Sequence, residues 1–215
     1  MLTPCPRSFV WLAATAATVP ATAGTMFTFN LGNAPELSND AAALEGLERA
    51  ASFVESYFTA YDADIELDVI TTNQPNSGAL ASAGSVRSPG LPGNVSRGFV
   101  GTEILSGVDQ NGTASDGTLS INLGANFSFD AEVGPQEFDF AAIVAHELFH
   151  TVGFASTINS QGGDLFGNTL GQPSAFSPFD QGIGDLSGPV IDPETNAIDV
   201  DRFAAAATGL SLIHI

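Results

Sequence analysis

The stretch from Phe138 to Phe154, FDFAAIVAHELFHTVGF, constrains this chain more than any other. It opens on Asp139, runs through Phe140, Ala141, Ala142, Ile143, Val144 and Ala145, and ends at Gly153. An acid at the start and a glycine after the last apolar turn are the punctuation of a helix, here one that passes through a core. His146 and His150 stand four residues apart, so on a helix they leave the same face one turn apart. Two imidazole nitrogens so placed reach one zinc ion at roughly 2.0–2.1 Å each. Glu147 comes directly after the first histidine, where its carboxylate can take a proton from a water on the metal. The chain has three histidines in all, and two of them fall here. The bland reading, two core histidines four apart by chance, leaves two imidazoles and a carboxylate buried without partners, which costs several kcal/mol.

His146-Glu147-Leu148-Phe149-His150-Thr151-Val152-Gly153-Phe154 resembles the HExxHxxGF core of the zincin metallopeptidases. Its Gly-Phe ending resembles the metzincins, particularly the leishmanolysin-like ones and related secreted bacterial peptidases. Glu137-Phe138-Asp139-Phe140 before the motif fits as well, as do Pro178-Phe179-Asp180-Gln181 and Asp185-Leu186-Ser187-Gly188 after it. The resemblance is specific over about residues 119–188. It implies an α+β fold: a zincin-like N-terminal lobe with a mixed twisted sheet, a backing helix and an active-site helix, followed by an incomplete C-terminal lobe. It also implies zinc on His146 and His150, with Glu147 as the catalytic base. Two positions depart from the pattern: Ser156 stands where a compact metzincin has its third histidine, and Phe149 where such helices often have glycine. Asp164, Asp180 or a residue beyond the C-terminus are then the candidates for a third ligand, and each aspartate also reads as a turn cap.

A length of 215 residues gives room for one sizeable domain or two small lobes. Twenty-four acids against five arginines, with no lysine, give a formal charge of -19. That balance argues against nucleic acid and anionic membrane as partners, because both need basic patches. It suits a solvated acidic surface, salty surroundings or calcium binding. Residues 1–23 read as a secretory signal, with Arg7 in the n-region, a short apolar run from Phe9 to Val19, and Ala21-Thr22-Ala23 as the cleavage site. Cleavage removes Cys5, the only cysteine, and an exported chain without disulfides suits a bacterium, with the protein secreted, at the cell surface or periplasmic. After that segment no stretch is apolar enough to span a bilayer.

Residues 24–155 are expected to form the N-terminal lobe. Met26–Asn30 alternates as a strand; a helix then runs from the caps Ser38, Asn39 and Asp40 to about Thr59; and Ile65–Ile70 alternates as a second strand. Thr71–Gly98, rich in Gly, Pro, Ser and Asn, reads as a long loop or flap. Phe99–Leu105 reads as a third strand, and Asp109–Gly117 as an acidic turn. Oxygens at alternate positions of that turn could hold Ca2+, but the spacing is not that of an EF-hand, and a plain hairpin turn is the favoured reading. Thr118–Gly124 reads as a strand, which the resemblance makes the edge strand that pairs with extended substrate. Residues 156–209 read as a loop-rich partial second lobe, in which Ile198–Phe203 begins another element. Residues 210–215 resemble a translated sequencing-library adapter, so His214 reads as an accident of a non-native tail rather than a ligand, on a chain cut near Gly209.

The expected function is a secreted zinc-dependent endopeptidase acting on a peptide or protein substrate. The alternative is a non-catalytic exported surface-binding protein that keeps the same scaffold.

Overall fold

The computed structural model describes residues 24–87, 95–159, 161–165, 167–185 and 188–209. The segment read as a signal, part of the long loop, and the tail with His214 lie outside the described residues.

The chain begins with strand β1 (Thr25–Asn33), a single helical turn α1 (Pro35–Ser38), helix α2 (Ala41–Glu55) and strand β2 (Ala63–Thr72). Asp40 caps α2, its carboxylate accepting from the Ala42 and Ala43 N–H groups at 3.0 and 3.2 Å. Ala43, Leu47, Ala50, Ala51 and Val54 then form the buried stripe that the helical spacing predicts. In β2, Ala63, Ile65, Leu67 and Val69 alternate inward, while Glu66 and Asp68 lie on the more open face.

Strand β3 (Ala81–Ser85), helix α3 (Phe99–Ser106) and strand β4 (Gly117–Asn122) complete the framework. The sheet order is β1-β2-β4-β3, with β1, β2 and β4 parallel and β3 antiparallel at the edge. Three expectations are corrected here. Phe99–Leu105 is not a strand: Val100, Glu103 and Ile104 are buried at helical spacing between an extended Gly98 and a left-handed Gly107 at φ 65°. The aromatic and β-branched residues of so short a run imitate a strand, and its end caps decide otherwise. The long loop contains β3, whose Ala, Ser and Gly residues lack strand propensity and are held by pairing with β4. The segment at Thr118 is therefore an interior strand, and the edge belongs to β3.

Two short strands, β5 (Phe127–Ser128) and β6 (Phe138–Asp139), lead into helix α4 (Phe140–Val152). Asp139 caps α4 by accepting from the Ala142 N–H at 3.0 Å. Phe140, Val144 and Leu148 are fully buried against the core shared with α2 and the sheet. The helices meet closely at Gly46, where a Cβ would fall 2.7 Å from the Phe140 ring.

The remaining elements are α5 (Pro178–Gln181), the pair β7 (Gly184–Asp185) and β8 (Gly188–Pro189), and helix α6 (Val200–Gly209). A second, smaller core of Phe176, Val190, Ile191 and Ile198 holds this part. The architecture is thus α+β with a mixed sheet. No helix among the described residues is long and apolar enough to cross a membrane.

Candidate metal centre

Helix α4 brings His146, Glu147 and His150 together: one ligand atom from each lies within 4.8 Å of the others. The two imidazole rings are 4.6 Å apart between centroids and inclined at 83°. His146 is exposed, His150 half-buried and Glu147 buried at 5% exposure. None of the described residues donates a hydrogen bond to the Glu147 carboxylate, whose oxygens are not among the fully buried unpartnered atoms and so stay open to solvent beside the two imidazoles. These residues could hold a metal ion.

The geometry of His150 depends on the two residues just past the end of the helix. Gly153 adopts φ 127°, and the chain reverses there. The Phe154 N–H then returns to the Phe149 carbonyl at 3.0 Å, and the Phe154 carbonyl comes to 2.7 Å from His150 Nδ1. Because a carbonyl only accepts, Nδ1 carries the proton in this contact, and Nε2 of the neutral ring keeps its lone pair. That is the arrangement in which a second hydrogen bond orients a metal-binding histidine.

Phe149 turns toward α2. Its ring packs edge-on against Phe53 at 6.3 Å, Tyr57 at 5.7 Å and Phe154 at 5.7 Å. Phe53, Tyr57 and Phe154 are each more than half exposed, so an aromatic patch flanks the histidines. An open groove between α2 and α4 is lined in part by Arg49, Phe53, His146 and Phe149.

Neither aspartate considered as a third ligand joins the group on α4. Asp180 is fully buried and accepts from Ser156 Oγ, the Thr157 N–H and Oγ1, and the Ser177 N–H and Oγ, at 2.6–2.9 Å. Asp164 accepts from the Asn168 N–H and Nδ2 and from the Ala175 N–H. Both fasten turns of the second core.

A second group of acids was only half visible in the sequence. Glu103, Asp109 and Asp116 each place a carboxylate oxygen within 4.8 Å of the other two. Glu103 and Asp116 are both 3% exposed. Burial, then the Asp116 charge, pushes the Glu103 carboxyl up to about 7, and burial raises the Asp116 carboxyl too. The acidic turn flagged Asp109 and Asp116, but Glu103 was hidden by the strand reading of its helix. The signal that could have found it was the spacing of Val100 and Ile104 around it.

No family model, no curated protein and no solved structure matches the chain.

Proposed function

We propose that the protein is an exported zinc-dependent endopeptidase. The observation that carries this reading is the grouping of His146, Glu147 and His150 on one helix, with the His150 ring held by the Phe154 carbonyl. Two imidazole nitrogens favour zinc or a similar transition metal over calcium or magnesium, which take oxygen ligands. A carboxylate with no protein donor, open to solvent next to those nitrogens, fits a catalytic base better than a purely structural site, which has no use for it. The export rests on residues 1–23 of the sequence alone.

When bound, zinc supplies Lewis acidity, lowering the pKa of a water to about 7 and polarising the scissile carbonyl. His146 and His150 supply two of the protein ligands. Glu147 accepts the proton of the attacking water and then delivers it to the leaving amine. Strand β3, at the edge of the sheet and in contact with α4, is the strand that an extended peptide would join.

The rival is a non-catalytic exported binding protein on the same scaffold. Two observations favour it: among the described residues no further His, Cys, Asp or Glu joins His146, Glu147 and His150, and the aromatic patch of Phe53, Tyr57 and Phe154 is open. One experiment separates the readings. Zinc content and casein cleavage are measured for the parent and for Glu147→Gln. The peptidase reading expects about one zinc per chain in both proteins, chelator-sensitive cleavage in the parent, and a loss of about 100-fold or more in the variant. Zinc without cleavage in the parent supports the rival, and parental cleavage by the variant removes Glu147 from the role of base.

A further inference from the structure

The loop between α3 and β4 carries a site that is independent of the histidines. Glu103 projects from the buried face of α3. Its Oε1 accepts the Asp64 N–H at 3.2 Å, whereas its Oε2 is buried and has no partner. Asp116, the residue before β4, accepts the Glu66 N–H at 2.8 Å. Asp109 shapes the loop by accepting from the Asn111 and Gly112 N–H groups at 2.9 and 2.8 Å. Asn111 in the same loop donates its Nδ2 to the Ala114 carbonyl, and its Oδ1 is a second buried oxygen without a partner. The charges acting on Glu103 come from Asp116, Asp109 and Asp64, all acidic.

Three carboxylates this close, two of them buried, repel one another, and buried charges persist only when paired or coordinated. We infer that Glu103, Asp109 and Asp116 form a binding site for a calcium-like divalent cation that ties α3 and its adjoining loop to the entry of β4. The donors are all oxygen, which selects a hard cation and disfavours zinc or copper. Ca2+ takes about six to eight oxygen ligands in flexible geometry, whereas Mg2+ demands near-ideal octahedral geometry and keeps several of its own waters. Asn111 Oδ1 offers a neutral fourth oxygen from the same loop.

The test uses the full chain, stripped of metal with a chelator and dialysed, alongside a His146→Ala/His150→Ala variant that cannot report on the α4 site. Calcium chloride is titrated by calorimetry, and thermal unfolding is followed with calcium or with equal magnesium. The expected result is one calcium per chain in both proteins, with a Tm higher by about 5–10 °C at a hundredfold excess over Kd and a smaller response to magnesium. Asp109→Asn changes an exposed side chain and leaves folding intact, and Glu103→Gln preserves shape; each weakens calcium binding at least tenfold. No calcium heat and no Tm shift in the parent overturns the proposal. So does a calcium response that survives both substitutions. If Glu103 is neutralised by a proton instead, Glu103→Gln raises Tm at pH 8 while the parent ignores calcium, and the site is then an acid pair and not a cation site.

Discussion

His150 Nδ1 lies 2.7 Å from the carbonyl oxygen of Phe154, four residues on, because the chain reverses at Gly153 with φ 127°. This contact turns a helix end into a positioning device: the residue that stops the helix also fixes the ring that would bind metal. An L side chain at that φ costs about 1–3 kcal/mol. Gly153→Ala is therefore expected to lower stability by that amount and to weaken zinc binding about 10–100-fold, as losing an outer hydrogen bond to a ligand does. Urea unfolding gives the first quantity and competition with a fluorescent zinc chelator the second. Unchanged zinc affinity would show that the carbonyl does not orient the ring.

The α2–α4 contact predicts a coupling. A Cβ at Gly46 would fall 2.7 Å from Phe140 Cδ1, and Phe140 is fully buried, with its ring centroid 4.7 Å from that of Phe129. Phe140→Ala is expected to cost about 3–5 kcal/mol. Gly46→Ala gains about 1 kcal/mol of helix propensity but loses about 1–3 kcal/mol to crowding. In the double variant the added methyl enters space the ring has left, so the two changes couple by more than about 0.5 kcal/mol. Unfolding of the four proteins measures this, and simple additivity would place the two side chains out of contact.

Asp180 separates a structural carboxylate from a ligand. With Asp180→Asn, donors on Ser156, Thr157 and Ser177 face an amide, and each buried donor left unpaired costs about 1–3 kcal/mol. The variant is expected to be cleaved by protease within residues 156–203 while α4 keeps its zinc. Loss of zinc with the protease pattern unchanged would instead make Asp180 a ligand.

The elements legible in the sequence are those whose signals are local. Asp40 and Asp139 announce their helices because an N-cap needs only the next three residues, and β2 announces itself through its alternation of Ile65, Leu67 and Val69. The spacing of His146 and His150 fixes their common face for the same reason. Ala81–Ser85 could not be read as a strand, since its partner Gly117–Ile121 supplies the order from more than thirty residues away. Phe99–Ser106 imitates a strand because eight residues hold too few turns to show their period, and that conceals Glu103 as well. The place of Phe154 opposite His150 was out of reach too, because it depends on a backbone reversal that the glycine permits but does not dictate.

Glu103 makes stability depend on pH with a definite sign. Its carboxyl ordinarily titrates near 4.5 and is pushed up to about 7 in the fold, by burial first and by the Asp116 charge second. Between those values the folded protein holds a proton that the unfolded chain has released, so stability falls as pH rises through the window and stays low above it. Asp116, also raised by burial, adds in the same direction. In chelator, urea midpoints of the parent are expected to drop from pH 5 to pH 8, and Glu103→Gln should flatten most of that drop. Added calcium should restore the midpoint most strongly above pH 7, where the cation no longer competes with the proton for the same oxygens. A parent whose midpoint rises across this range in chelator would mean that Glu103 is not held in the buried acidic setting described.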